Sequence, residues 1–251
     1  MVTRKKAAAT HLLISIIIAT LIGLAFGFIY FPGYYFTVLD GWHRFLLIIG
    51  VDVVLGPLLT LIIFNVKKPK KELLRDVSII AAVQLGALLY GLYVFAQTRP
   101  VYTAFNEDVL YIVSANEYLP NALSLAQPPY NVLPKFGPKD VFVKKTPEDK
   151  ETKERIMISM GDAYWPELYE PMNTDHRKAL YLAGIPVEKA DPPLTQKQQQ
   201  QLLNNLPKGM TDAKEIRLVM TKSINSSTGF FWAVIRPDGE ITMMLPIMEQ
   251  Q

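Results

Sequence analysis

The sequence predicts a membrane protein with three transmembrane α-helices followed by a small α+β domain outside the cytoplasm. Long apolar runs are confined to residues 1–96, and each is close to the 20 or so residues that a spanning helix needs. Residues 99–251 are instead rich in proline and charge, with short aromatic and β-branched segments typical of strands. We therefore expect a membrane domain at 1–98 and a separately folded α+β domain at 99–251.

The charged residues divide in the same way as the apolar ones. Nine basic and four acidic residues lie before position 97, whereas 17 basic and 19 acidic residues follow it. The excess of positive charge therefore belongs to the membrane half, and no basic patch indicates a nucleic-acid partner. The chain has no cysteine, which excludes disulfide bonds and cysteine-ligated metals.

The first predicted helix covers residues 11–31 and follows three basic residues near the N-terminus. A signal peptide would have a shorter apolar core and a cleavage site after it, so a retained helix is the preferred interpretation. Small residues recur at every fourth position, on one face where a second helix can approach closely. The alternative is that they only reflect the usual composition of membrane helices. This predicted helix-packing face consists of Ser15, Ala19, Gly23 and Gly27.

The second predicted helix, residues 45–64, contains the acidic Asp52 and the helix breaker Pro57. A carboxylate within the bilayer costs about 2.5–3.5 kcal/mol on insertion scales, so Asp52 should face protein or water and find a partner. Its position in the predicted helix places it about 10 Å below the outer interface. Pro57 lacks a backbone donor and should kink or loosen the helix just before it.

The third predicted helix, residues 77–96, should face Asp52. We expect a polar seam between the second and third helices, in which Asp52 accepts a hydrogen bond from Tyr90 or Tyr93. Three roles stay open for it: a structural clamp, a contact for a partner's transmembrane helix, or a proton or ion pathway. The residues predicted for this seam or partner-helix contact are Asp52, Gly56, Pro57, Thr60, Gln84 and Tyr90.

Basic residues in the loops indicate the orientation. The 65–76 connection holds five of them and the N-terminus three, whereas the 32–44 connection holds Arg44 alone. The positive-inside rule then places the N-terminus and the 65–76 loop in the cytoplasm. Three crossings put everything after about residue 98 on the other side of the membrane.

Strand signals lie at both ends of the second domain. Aromatic and β-branched residues around an Asn-Glu-Asp turn predict two short strands within 99–114. Pro237-Asp238-Gly239 is a strong turn signal, and it predicts a β-hairpin over 229–236 and 240–245. One more strand is predicted at 214–222, giving a small antiparallel sheet.

The middle of this domain carries proline and helix signals. Residues 117–147 hold many prolines and predict a long, irregular and extended connection. A helix is predicted from 147 to about 159, with Thr146 at its cap and a proline in its first position. Two further helices are predicted at 175–183 and 195–205.

We find no catalytic motif, phosphate loop or dinucleotide fingerprint, and we therefore expect no enzyme, catalytic residue, cofactor or metal site. His11 and His43 lie on opposite sides of the membrane in this interpretation and cannot share a metal. Adjacent helical residues point in different directions, so Asp175-His176 is a solvated pair rather than an acid-base pair. The aromatic and acidic residues of 162–170 favour a binding surface.

Three segments resemble the type IV pilin accessory proteins. The hallmark is Gly50-Val-Asp-Val-Val-Leu-Gly-Pro-Leu-Leu-Thr-Leu, since an acid followed by Gly-Pro is unusual inside a spanning helix. The lysine-rich start with its His-Leu-Leu-Ile-Ser segment also matches, as does the stretch from Gln84-Leu-x-Ala-Leu-x-Tyr-Gly-Leu-Tyr to Arg-Pro-x-Tyr-x-x-Phe-Asn. The resemblance covers about residues 4–116. It implies a multi-pass inner-membrane protein of a Gram-negative bacterium, with a periplasmic domain that supports its cognate pilin.

The leading hypothesis is therefore an accessory factor that binds or stabilises a cognate type IV pilin and supports pilus assembly or dynamics. Its partners would be the major pilin and the lipid bilayer, with a homo-oligomer left open. The alternative is a membrane-tethered periplasmic protein that binds a ligand or acts as a sensor, although the cytoplasmic side offers no output domain. A third hypothesis, an enzyme at the membrane surface, lacks a second catalytic group beside Asp52.

Overall fold

The chain forms two compact units, Met1–Arg99 and Pro100–Gln251, which we call the membrane unit and the sheet unit. The computed structural model describes residues 3–65, 67–119, 121–157, 161–206 and 215–247. Three helical spans precede a mixed β-sheet with helices, which confirms the predicted fold class.

The membrane unit contains three spans that are long and apolar enough to cross a bilayer, counted over the described residues: Arg4–Tyr30, Gly41–Ile63 and Lys70–Gln97. This confirms the three predicted helices, and each begins one to two turns earlier than its apolar run. The first span starts early because the Thr3 side chain accepts a hydrogen bond from the backbone N–H of Lys6. Such a cap satisfies an amide that has no partner within the helix.

The spans are not uniform α-helices. Helix α1 (Arg4–Ala25) continues into a π-helical turn, Phe26–Tyr30, and a short helix α2 (Tyr35–Val38) follows. The second span consists of α3 (Gly41–Gly50), a π-helical turn (Val51–Leu55) and α4 (Gly56–Ile63). The third span is the single helix α5 (Lys70–Gln97).

The π-helical turn Val51–Leu55 ends just before Pro57, which confirms the predicted loosening of this helix. The proline ring has no N–H to donate to the carbonyl one turn earlier, and it would clash with that carbonyl in a regular helix. A wider turn relieves the crowding. Thr60 Oγ1 donates to the carbonyl of Gly56 at 3.0 Å, which adds a bond where the ladder is weakened.

Stacked aromatic rings join the end of the first span to the end of the third. Phe95 lies 4.8 Å from both Phe26 and Phe31, measured between ring centroids, and it is almost parallel to Phe26. All three side chains are buried. Stacking of this kind adds about 0.5–1.5 kcal/mol per pair beyond the burial of area, so it fixes the two helix ends together.

The sheet unit is built on one eight-stranded sheet within the described residues. Seven strands follow the order β4-β3-β1-β2-β6-β7-β8, and β5 pairs with β6 outside this path. The strands are β1 (Pro100–Asn106), β2 (Val109–Ser114), β3 (Lys139–Val143), β4 (Tyr169–Pro171), β5 (Ile185–Pro186), β6 (Arg217–Lys222), β7 (Phe230–Ile235) and β8 (Ile241–Pro246).

Both predicted hairpins form, but the expectation of an antiparallel sheet was wrong. Strands β1 and β2 pair antiparallel, as do β7 and β8. The pairs β1–β3 and β2–β6 are instead parallel. The proline-rich connection predicted at 117–147 is interrupted by β3, whose Val141 and Val143 are buried. This short strand between prolines carries too few residues for its alternation to stand out.

The helices α8 (Thr174–Ala183) and α9 (Gln196–Asn204) confirm two predictions. Helix α7 (Lys150–Met157) begins later than predicted, because the Asp149 carboxylate rather than Thr146 caps it by accepting from the N–H of Thr152. The predicted end near Ser159 lies outside the described residues, and so does Lys214, the predicted first residue of β6. A single turn, α6 (Ala122–Leu125), is the remaining α-helix among the described residues of this unit.

The aromatic segment predicted as a binding surface belongs to the core, and that prediction was wrong. Tyr164, Trp165 and Tyr169 are each at most 4% exposed. Glu167 accepts from Arg155 at 2.7 Å, and the Arg155 guanidinium lies 4.7 Å from the centre of the Trp165 ring. The acidic residue thus serves an internal ion pair, which holds α7 over the aromatic core.

The residues of the Asp175-His176 pair diverge, as expected for adjacent helical positions. The His176 ring stacks on Phe142 at 4.0 Å between ring centroids, and its Nδ1 lies 3.1 Å from the carbonyl oxygen of Pro171. Asp175 is exposed in the first turn of α8.

In the core of the sheet unit, burial raises the pKa of Tyr102 to about 12, so this phenol stays neutral at physiological pH.

Candidate functional site

Polar residues from all three spans meet inside the membrane unit. His11 comes from α1, Asp52 and Thr60 from the second span, and Gln84 from α5. Gly56 lies among them and leaves room for their side chains. We call these five residues the polar cluster.

The structure places Asp52 deeper than the sequence suggested. Because the second span begins at Gly41 rather than at residue 45, Asp52 lies about 16 Å along its axis, close to the middle. Gln84 is likewise halfway along its own span. An acidic and an amide side chain therefore share the level at which a bilayer offers least solvation.

His11 is held in one orientation by Thr60. The contact from His11 Nδ1 to Thr60 Oγ1 is 2.7 Å. The Thr60 hydroxyl also donates to the carbonyl of Gly56, at 3.0 Å. The other ring nitrogen of His11, Nε2, is directed at Gly56.

Glycine at position 56 leaves the space that the side chains of the polar cluster occupy. A Cβ at this position would overlap Gln84 Nε2 and lie 2.9 Å from His11 Nε2. Glycine thus lets side chains from the first and third spans meet over the backbone of the second. Close approach over small residues is the usual way in which membrane helices associate.

Two acceptors of the cluster have no hydrogen-bond partner among the residues that the structure describes. Asp52 Oδ1 and Gln84 Oε1 are both buried from solvent. His11 is near enough to Asp52 to interact with it electrostatically. All three residues line a cavity of about 210 Å³ whose other walls are mainly apolar. Among the described residues, no group of His, Asp and Glu could hold a metal ion.

The structure brings together most of the predicted seam but not its tyrosines. Tyr90 and Tyr93 are 71% and 62% exposed, and neither hydrogen-bonds to Asp52, so the predicted bond was wrong. On α5 the cavity is lined by Ala81, Gln84, Leu85 and Leu88. Tyr90 lies two residues beyond this face, about 200° further around the helix, and cannot point the same way.

The sequence signal that points to His11 is its spacing. It stands one turn before Ser15 and so continues the stripe of small residues. Ser15 and Ala19 line the cavity beside it.

Gly23 and Gly27, the other two residues of the predicted packing face, differ in their surroundings. At Gly23 a Cβ would lie 2.8 Å from Phe45 Cζ, so this glycine is in close contact with α3. A Cβ at Gly27 would meet nothing within 4 Å. The stripe therefore has a packing partner at Gly23 but none at Gly27.

Replacing Thr60 with valine should remove the bond that orients His11. Hydrogen bonds between membrane helices contribute about 0.6 kcal/mol on average, so we expect a small loss of heat stability for the protein in detergent. Thr20→Val is the matched control, because the Thr20 hydroxyl donates only to the carbonyl of Ile16 within its own helix. Equal melting temperatures for both variants would contradict a stabilising contact across the helices.

Comparison with known proteins gives the context for this site. The chain is 31% identical to the fimbrial assembly protein of serogroup I from Dichelobacter nodosus, over 92% of this chain and 89% of that protein. The serogroup E1 protein of the same organism is 32% identical over the same shares. The protein of serogroups C1 and C2 is 36% identical over 48% of this chain and 92% of its own length. No model of a protein family matches the chain, and no solved structure gives a significant match. The chain therefore belongs to the family of fimbrial assembly proteins, which confirms the resemblance of its membrane half to the type IV pilin accessory proteins.

Proposed function

We propose that this protein is an inner-membrane accessory factor that binds or stabilises a cognate type IV pilin and so supports pilus assembly or dynamics. The observation that carries the proposal is the similarity to fimbrial assembly proteins over both units of the chain. Their name describes assembly rather than a reaction, and we accordingly propose a non-enzymatic role.

The membrane unit suits such a partner. Pilin subunits are held in the membrane by one apolar helix before they enter the fibre, so a factor that acts on them needs a surface within the bilayer. The three spans offer exposed apolar faces together with the polar cluster at mid-depth. We propose that the cluster residues Asp52, Gly56, Thr60 and Gln84 contribute to contact with the partner's helix, with Pro57 shaping the turn that carries Asp52.

The sheet unit would then act on the part of the pilin outside the membrane. The loop charges favour an N-terminus in the cytoplasm and, after three spans, a sheet unit in the periplasm. The membrane domain at 1–98 and the periplasmic domain at 99–251 would thus reach the two parts of one pilin subunit.

The test is recovery of pilin with the full-length protein. A tagged protein, solubilised in mild detergent from cells that express its own pilin, should retain that pilin after purification. Deleting the gene should reduce surface pili and twitching motility, and the intact gene should restore both. An unrelated three-span membrane protein with the same tag is the control. Unchanged piliation in the deletion strain, or equal recovery of pilin with the control, would refute the proposal.

A further inference from the structure

We infer that the cavity of the polar cluster receives one hydrogen-bond donor group carried by the transmembrane helix of the partner protein. This inference rests on the proposed function for the identity of that partner, a type IV pilin. It goes further by assigning the chemistry of the contact, namely a donor on the partner's helix and acceptors on this chain.

The acceptors are the first argument. Asp52 Oδ1 and Gln84 Oε1 are buried, and neither has a hydrogen-bond partner in the described part of the chain. Such atoms are rare in folded proteins, because a buried acceptor without a donor loses its hydration and gains nothing in return. The two residues belong to different spans and line the same cavity, so a donor that enters it meets acceptors from both spans.

The orientation of His11 adds to this arrangement. Its Nδ1 lies 2.7 Å from Thr60 Oγ1, which fixes the ring beside the acceptors as part of the cavity wall. The second and third spans then each present an acceptor: Oδ1 of Asp52 and Oε1 of Gln84. A hydroxyl, amide or amine hydrogen complements these acceptors.

The size of the cavity limits what enters it. An apolar cavity of about 150 Å³ accommodates a benzene molecule, so a space of about 210 Å³ suits one side chain and is too small for a helix. The walls beside the acceptors are aliphatic and include Ile14, Ile18 and Leu85. Leu85 is also 57% exposed on the outside of the bundle, so it marks the rim where a partner helix would lie.

The experiment places a photo-reactive benzoylphenylalanine at Leu85 in the full-length protein, in membranes that contain the cognate pilin. Val83 is the matched control, because it lies at nearly the same depth on α5, is 67% exposed and does not line the cavity. We expect pilin to cross-link at position 85 and not at position 83. Cross-links at position 85 to lipid or to a second copy of this chain alone would overturn the inference.

The acceptors are tested in the same assay. The double variant Asp52→Leu, Gln84→Leu should lower the yield of pilin cross-link at position 85 roughly tenfold, as expected when two hydrogen bonds between helices are lost. The conservative variant Asp52→Asn keeps a carbonyl acceptor, so it should retain cross-linking. It also shows whether a substitution at position 52 by itself prevents folding. Undiminished yield in the double variant, at equal protein level, would overturn the inference, as would loss in Asp52→Asn as complete as in the double variant.

The failure of this inference can be told apart from failure of the proposed function. If pilin copurifies with the protein but gives no cross-link at position 85, the proposed function stands and the cavity is not the site of contact with pilin. Pilin that does not copurify at all would remove the proposed function itself.

Discussion

Replacing Gly239 with alanine is expected to lower the free energy of unfolding of the sheet unit by about 2–5 kcal/mol. Gly239 has a φ of 76°, where a side chain costs about 1–2 kcal/mol. Its Cβ would also overlap the carbonyl oxygen of Arg177 and lie 2.5 Å from the Arg177 Cβ, and overpacking of this kind costs about 1–3 kcal/mol. The turn between β7 and β8 therefore lies directly against α8, and only glycine fits there.

Gly229→Ala separates the two contributions. Gly229 has nearly the same φ, 75°, but a Cβ there would meet nothing within 4 Å. This control should show only the conformational cost. The measurement is thermal unfolding of the full-length protein in detergent, followed by limited proteolysis of the sheet unit. An equal loss in the free energy of unfolding for the two variants would show that Arg177 does not crowd position 239.

The second large effect is expected for Gly56→Leu in the membrane unit. A leucine would have to displace Gln84 and His11, which both approach the backbone of Gly56, and we expect a loss of about 1–3 kcal/mol together with loss of pilin recovery. Gly56→Ala should do less, because the amide end of Gln84 can swing away from one methyl group. Heat stability in detergent and the yield of copurified pilin measure both effects.

Gly86→Leu is the control for this substitution. Gly86 lies on α5, and a Cβ there would meet nothing within 4 Å. The same change of glycine to leucine in a membrane helix should therefore leave both stability and pilin recovery close to those of the unaltered protein. If Gly86→Leu were as harmful as Gly56→Leu, the damage would not come from crowding of the polar cluster.

Local signals explain what could be predicted from the sequence. The three spans follow from apolar length alone, and the β7–β8 hairpin follows from Pro237-Asp238-Gly239 between two apolar segments. Strand β3 is not predictable from local sequence, because its five residues stand between prolines. It gains its stability from pairing with β1 and β4, which are distant in sequence. The start of α7 was missed because Thr146 and Asp149 are both good caps, and only the fold decides between them.

The candidate site was predictable in part. The spacing of four between Asp52, Gly56 and Thr60 places them on one face of the second span, and the structure brings Gln84 to that face. The rotation of each helix about its own axis was not available from sequence, since apolar residues surround the membrane spans on every side. Tyr90 was therefore placed toward Asp52 although it points away, and His11 was left out.

The parallel pairing of β2 with β6 has a consequence for how the sheet unit acquires its structure. Val109 pairs with Met220, so this ladder closes a loop that contains most of the unit. The hairpin β1–β2 needs only a short loop and can form as soon as residues 100–114 are available, whereas the ladder between β2 and β6 must wait for a strand that is distant in sequence. Chain entropy opposes so long a closure, and topologies dominated by distant contacts fold slowly. The sheet unit should thus spend an appreciable time with β2 lacking its parallel neighbour, a period in which this open edge is vulnerable to proteases and to aggregation.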